Sequence, residues 1–568
     1  MNDRCSDQGE QKVRRIDRRA FLRLVAAGGG ALALQACGGG APPAAAPTTA
    51  PAAPTVAPAA PTAAPAAPTA APAAPTAAPV ASNARGGKVT WAMLGDPVSL
   101  EPYGINITGQ YNYEAREPMY DSLLVWDRDL KVQPSLAESF ETPDDTTYIF
   151  NLRSGVKFHN GRELTAEDVK FSLDTIINPP DGRNPGAAFF ANFDTIEVVD
   201  PLTIRINLKK IDPTIPGLFA WSRYTNIFPT DMPSQINPVT QAIGTGPFRL
   251  VSYTPNAEIV YERFSDHWNP EQPNIDQLIY RVIPEEDARI AALRSGDIDG
   301  TDVTPLGARR LQNDSDITIL KGLYSQPKVL QFTLKGGKPW DIKEVRQAIS
   351  LTIDRQELID KVMEGEAELT GPVVPGYGDW PLSQDELRAA YQVDVEKARQ
   401  LMAQAGYADG FKVTAMTFAN YSNDNAIIVQ EQLRQLNIDM QIEQIEFGTF
   451  AQRVTNGEFE WCFTARGMRA DVSGYLNDFR RLGIAEKNWF PAWENAELNE
   501  AYDAAMATFD QAKRRELMQK VQRIVINEAP HIYLYQDYRF SAVRKRVQNY
   551  YVAFTTFRPA LREIFVTA

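Results

Sequence analysis

From Gly38 to about Asn83 the chain is almost wholly Ala, Pro and Thr, with near-repeats such as Ala-Pro-Ala-Ala-Pro-Thr and no charged residue. Such a segment has nothing to bury and cannot form a core, and its prolines bias it to an extended spacer. At about 3.1 Å per residue it would reach on the order of 100 Å when fully extended. It divides the 568 residues into a head (1–37), a tether (38–86) and a body that alone has the material to fold. The body is long enough for two or three lobes of ordinary domain size.

In the head, Asp17-Arg18-Arg19-Ala20-Phe21-Leu22-Arg23 leads into the Gly/Ala/Leu-rich run Leu24 to Ala36. That run is too short to span a bilayer and has the form of a signal peptide. The paired arginines before Ala-Phe-Leu resemble the twin-arginine export motif, with general secretion as the alternative route. Leu34-Gln35-Ala36-Cys37-Gly38 resembles a bacterial lipobox. That resemblance implies acyl chains on Cys37 and a body anchored to the membrane outside the cytoplasm. The plainer alternative is an ordinary cysteine that ends the apolar run.

The net charge is −13; seven of the 58 basic and four of the 71 acidic residues lie in residues 1–37, which leaves the rest at −16. An acidic body without a basic block argues against nucleic acid as a partner, because phosphate binding needs clustered Lys and Arg. Cys5, Cys37 and Cys462 are the only cysteines, so no disulfide framework is expected after processing. His159, His267 and His531 do not share a turn or helix face with one another or with Cys462, so no metal or other cofactor is expected.

Along the body, Lys88–Met93 and Tyr148–Leu152 alternate as strands do. Thr165 and Asp168 form a start signal for a helix with Val169, Leu173 and Ile176 on one face. A second helix is expected between Pro284 and Gly296. In the second half, helix faces such as Val345/Ala348/Ile349/Thr352 and Ala426/Val429/Leu433/Leu436 alternate with strands at Phe411–Met416 and Ile438–Ile442. Asp354 and Asp394 read as caps, and Leu517, Val521, Ile524 and Val525 mark a late covering helix. Helix and strand in alternation predict an α/β lobe with sheets covered by helices.

The segment Tyr148 to Leu173, which contains Gly155-Val156-Lys157-Phe158-His159-Asn160-Gly161, resembles the signature region of the family 5 extracytoplasmic solute-binding proteins, the peptide and nickel binders of bacterial ABC importers. Pro134–Phe140, Gly244-Thr245-Gly246-Pro247-Phe248, Leu293–Asp299, Val345–Ile349, Asp354-Arg355 and Ala405–Gly410 extend the resemblance in family order. It implies an α/β, bilobed periplasmic-binding-protein type II-like fold. Lobe I would comprise residues 87–117, 241–330 and 533–568, with an inserted subdomain at 118–240; lobe II would comprise 331–532. Two crossing strands, near Leu330 and near Tyr533–Tyr538, would form the hinge.

The family's pattern of an aromatic, two residues and a cleft aspartate falls on Met468-Arg469-Ala470-Asp471. In peptide binders that aspartate meets the ligand's α-amino group. Here Met468 replaces the aromatic, Tyr475 lies near where a proline usually follows, and Arg469 adds a positive charge. Asp471 is the first candidate, with a helix cap or a pair with Arg466 or Arg469 as the alternative reading. Trp461, Tyr475, Trp489 and Trp493 are candidate stacking residues, with a place in the core as the alternative. The implied partners are a small solute, a short peptide first, with sugars or opines behind it, and ABC permease subunits; a monomer is expected. The scarcity of histidine disfavours nickel.

Catalysis lacks its apparatus: there is no Gly-x-Ser-x-Gly elbow, no His-Glu-x-x-His and no phosphate loop. The acid pairs Glu285/Glu286 and Asp297/Asp299 read as solvated turns and helix starts. No enzyme activity is expected, although a secreted hydrolase, a sensor and a surface scaffold stay open as alternatives.

Overall fold

The computed structural model describes residues 85–567, apart from 104–109, 181, 183–185, 419–422, 481–488 and 556–557. The expected signal peptide and lipid-attachment residue Cys37, and nearly all of the Ala/Pro/Thr segment, lie outside the described residues. No described helix is long and apolar enough to cross a membrane.

One twelve-stranded sheet system runs through the body. Its key member is the 14-residue strand His531–Arg544, whose two halves have different neighbours. The first half pairs antiparallel with Lys328–Phe332, aligning Leu330 with Ile532 and Val329 with Tyr533. The second half pairs with Gly300–Val303 and Ile317–Leu323, aligning Val303 with Phe540 and Leu323 with Tyr538. One continuous strand therefore belongs to both lobes.

On the lobe I side, Lys88–Met93 is parallel to Gln277–Val282 and to Gly300–Val303. It reads as alternating in sequence, yet every residue after Lys88 is buried, because strands flank it on both sides. In the insertion, Ala137–Asp144, Thr147–Leu152, Thr203–Leu208 and Phe193–Asp200 form a four-stranded antiparallel sheet. There the alternation survives: Tyr148, Phe150 and Leu152 point into the core and their neighbours do not. Helix Ala166–Ile177 covers this sheet with Val169, Leu173 and Ile176. One hydrophobic core, including Trp91, Phe150, Trp221 and Tyr261, is shared by lobe I and the insertion.

Lobe II has its own core, built around Phe332, Trp340, Val413, Trp461 and Val521. Phe411–Phe418 is parallel to Ile438–Ile445 and to Trp461–Ala465, as strands joined by helices require. The caps at Asp354 and Asp394 form, each accepting from a backbone N–H three residues on, at 3.0 and 2.9 Å. Helix Gln511–Glu528 buries Val521 and Val525.

The signature stretch is held by contacts within lobe I and its insertion. Asp168 is fully buried, receives both arms of Arg162 at 2.5 and 3.1 Å, and accepts from the Thr165 and Thr230 N–H groups. His159 reaches a second family-like segment: the Gly244 N–H donates to its Nδ1 at 3.3 Å and its Nε2 meets the Gly246 carbonyl at 3.0 Å. Side chains cannot replace either glycine, since a Cβ at Gly244 would sit 2.1 Å from the Met119 carbonyl oxygen and one at Gly246 2.5 Å from the Met119 carbonyl carbon. Asp299 departs from its reading as a solvated turn. It is buried, accepts both arms of Arg546 at 2.7 Å and the Thr90 N–H at 2.9 Å, and so ties the strand at Lys88 to the C-terminal segment.

Candidate functional site

Strand Trp461–Ala465 lies between Phe411–Phe418 and Lys328–Phe332 in the lobe II sheet, and the chain then leaves the sheet through Arg466–Val472. This loop meets the insertion. A Cβ at Gly217, in the insertion helix Ile215–Ala220, would stand 2.7 Å from the Ala470 carbonyl oxygen. Ala470 also packs against the core shared by lobe I and the insertion.

Beside this contact lies a cavity of about 930 Å3. Phe189, Asp212, Trp221, Arg223 and Tyr224 wall it from the insertion. Arg469, Asp471, Asp478, Tyr502 and Asp503 wall it from lobe II. Small-molecule sites of roughly 300–1,000 Å3 are usual, and this one has the common mixture of aromatic walls and a few charged groups.

Of the sequence candidates, the structure brings Arg469 and Asp471 to the cavity wall. Asp471 does not pair with Arg466 or Arg469; both of its oxygens are taken by Arg514, at 2.5 and 3.1 Å, and Oδ1 also accepts from the Ser473 N–H at 2.8 Å. Burial pushes the Asp471 carboxyl up, but the charge and hydrogen bonds of Arg514 outweigh it and hold the group below the usual carboxylate range. Arg469 donates to the carbonyls of Gly467, Met468 and Gly474, which braces the loop, and reaches Asp478 at 3.4 Å. Asp478 also pairs with Arg466, whose burial, with Arg469 nearby, pushes its guanidinium down to about 10.

The other five candidates are not on the wall. Met468 is buried within the loop. Tyr475 is buried in the lobe II core, where its ring meets Tyr377 edge-on at 6.0 Å and burial pushes its hydroxyl up to about 12. Trp461 is fully buried against Phe332 and Trp340, so its reading as a stacking residue is corrected: it is core. Trp489 donates its indole N–H to the Val454 carbonyl at 2.6 Å and lies under Arg466, with Trp493 likewise packed on the lobe II core. The insertion wall was absent from the sequence candidates, as was Arg514. No local pattern marks them, because they become neighbours of residues 469–507 only through the fold.

The model of the bacterial extracellular solute-binding proteins, family 5 (middle), matches residues 131–483. The chain belongs to this family. Among curated relatives, the glutathione-binding protein GsiB of Salmonella paratyphi A is 27% identical over 482 residues, covering 80% of this chain and 90% of the relative. The di/tripeptide-binding protein 1 of Pseudomonas aeruginosa is 27% identical over 496 residues, covering 81% and 90%. Among solved structures, the Helicobacter pylori periplasmic binding protein DppA, in complex with the peptide STSA, superposes with a TM-score of 0.73 at 24% identity, covering 85% of this chain and 99% of that one. The fold is thus the two-lobed, type II-like α/β fold of periplasmic binding proteins, and the family's role is solute binding.

Proposed function

We propose that this family member is the solute-capturing subunit of an ABC importer, anchored outside the cytoplasm through Cys37, which takes up a short peptide by closure and delivers it to the permease. The observation that carries the reading is the 930 Å3 cavity walled from both the insertion and lobe II. Its size suits a ligand of a few residues, and the relatives named for glutathione and for di- and tripeptides support the same class. Closure is proposed to turn on the strands Lys328–Phe332 and His531–Arg544, where Lys328 pairs with Asp537 at 3.0 Å and the register shifts between Lys328 and Val329. Arg469 and Asp471 are the proposed loop contacts to the solute. An α-amino group that approaches Asp471 must share it with Arg514, so amine capture there is weaker than at a free carboxylate. Binding takes place without turnover, by a monomer.

Mass spectrometry of solutes released when freshly purified protein is denatured tests this reading. Peptides of a few residues, or a peptide-like solute such as glutathione, are expected; a spectrum without them contradicts it. Cys37→Ser should move the protein from the membrane fraction to the soluble fraction, and unchanged membrane association would remove the anchor.

A further inference from the structure

Among the described residues, the charges around the cavity do not balance. Asp471 is consumed by Arg514, Asp503 by Arg480, and Asp478 is shared by Arg466 and Arg469. Asp212 accepts from the Thr214 N–H and hydroxyl at 3.0 and 2.7 Å, and from Asn192 at 3.4 Å. Lys209 and Lys210 stand exposed, where water solvates them. Arg223 is left over.

The Arg223 guanidinium is laid against three aromatic rings, 4.6 Å from Tyr113, 4.9 Å from Tyr224 and 5.5 Å from Trp221. Those ring faces attract the cation but do not satisfy its N–H groups in the way an anion does. Its Nε is buried without an acceptor, and among the described residues no carboxylate pairs with it. Arg469 is the second cation: it lines the same cavity from lobe II, shares with Arg466 the one carboxylate that pairs with it among the described residues, and spends its other donors on loop carbonyls. Burial lowers the Arg469 pKa, and the positive charge of Arg223 adds to that effect.

A planar, half-buried guanidinium with unspent donors, facing another cation, is costly unless an anion enters between them. We propose that Arg223 of the insertion and Arg469 of lobe II together receive a carboxylate of the captured solute, the C-terminal one in a short peptide. The anion then bridges the two walls and favours the closed form, since only closure brings both cations to it. This inference rests on the peptide-capture reading and makes the cleft a reader of the carboxyl end of its ligand.

The test uses the full chain, isothermal titration, and two pools of tripeptides without Asp or Glu, one with free C-terminal carboxylates and one with the same sequences as C-terminal amides. The wild type should bind the acids at least tenfold more tightly than the amides. Arg223→Gln should melt at an unchanged temperature without solute, bind the acids at least tenfold more weakly than the wild type, and no longer separate acids from amides. Because Arg469 also braces its loop, Arg223→Gln alone is decisive if Arg469→Gln does not fold. Equal binding of both pools by the wild type overturns the carboxylate site and leaves peptide capture standing. Discrimination that survives in Arg223→Gln overturns the assignment to Arg223. If neither pool binds, peptide capture itself falls and the carboxylate site falls with it.

Discussion

Gly217 offers a substitution whose effects on folding and on binding have opposite signs. It lies in the insertion helix Ile215–Ala220, in a conformation open to any residue, so Gly217→Ala gains helix propensity of up to about 1 kcal/mol. In this structure, taken as the closed form under the function proposed above, the new Cβ would stand 2.7 Å from the Ala470 carbonyl oxygen. Real Cβ atoms do not approach a backbone atom so closely, and a backbone carbonyl cannot swing aside as a side-chain tip can. Overpacking of this kind costs about 1–3 kcal/mol, here charged only to the closed form. Affinity for the tripeptide acids should therefore fall roughly fivefold to hundredfold, while the solute-free melting temperature stays the same or rises. Isothermal titration and a thermal melt on the same preparation read both quantities. Wild-type affinity in Gly217→Ala would refute the claim that the insertion and the Arg466–Val472 loop come together when solute is held.

Asp168→Ala leaves the Thr165 and Thr230 N–H groups without their acceptor in a buried site and takes the main partner from Arg162, which keeps Asp231, so denaturant titration should show a loss of about 2–3 kcal/mol with affinity unchanged in the folded fraction. Trp461→Ala should cost about 3–5 kcal/mol in the same assay, again without a specific loss of affinity, because Trp461 is core. Asp302 forks to Arg558 and Ser541; burial pushes its carboxyl up, but Arg558 and Arg539 outweigh that and bring it down to about 2. A lowered carboxylate contributes stability that is fully present above about pH 4 and is lost as pH falls towards 2. The contribution is about 2 kcal/mol, and Asp302→Asn should be less stable at pH 6 yet show a shallower fall between pH 4 and 2 in denaturant titrations.

Local features were legible in the sequence wherever their cause was local. The caps at Thr165, Asp354 and Asp394 and the alternation in Thr147–Leu152 depend on residues within a few positions, and they stand where the sequence puts them. What could not be read was anything decided by a distant partner. Asp299 reads as a solvated turn because Arg546, 247 residues away, is invisible from its surroundings. For Asp471, read first as a ligand contact, the alternative partners in view are the nearby Arg466 and Arg469, whereas the arginine that claims it lies 43 residues on, on a helix whose pattern reports only its buried face. Trp461 resembles a stacking residue by type, and only the packing of Trp340 and Phe332 around it shows that it is core. The insertion wall of the cavity, with Arg223, had no motif at all: its role follows from which lobe it faces.

The central claim is that two lobes, joined by the strands Lys328–Phe332 and His531–Arg544, shut on a solute held between the insertion and residues 469–507. Small-angle scattering of the protein during titration with the tripeptide acids measures this most directly. The radius of gyration should fall, saturate at the same peptide concentration as the calorimetric binding curve, and fall less in Gly217→Ala. A radius that stays constant while peptide binds would contradict the account.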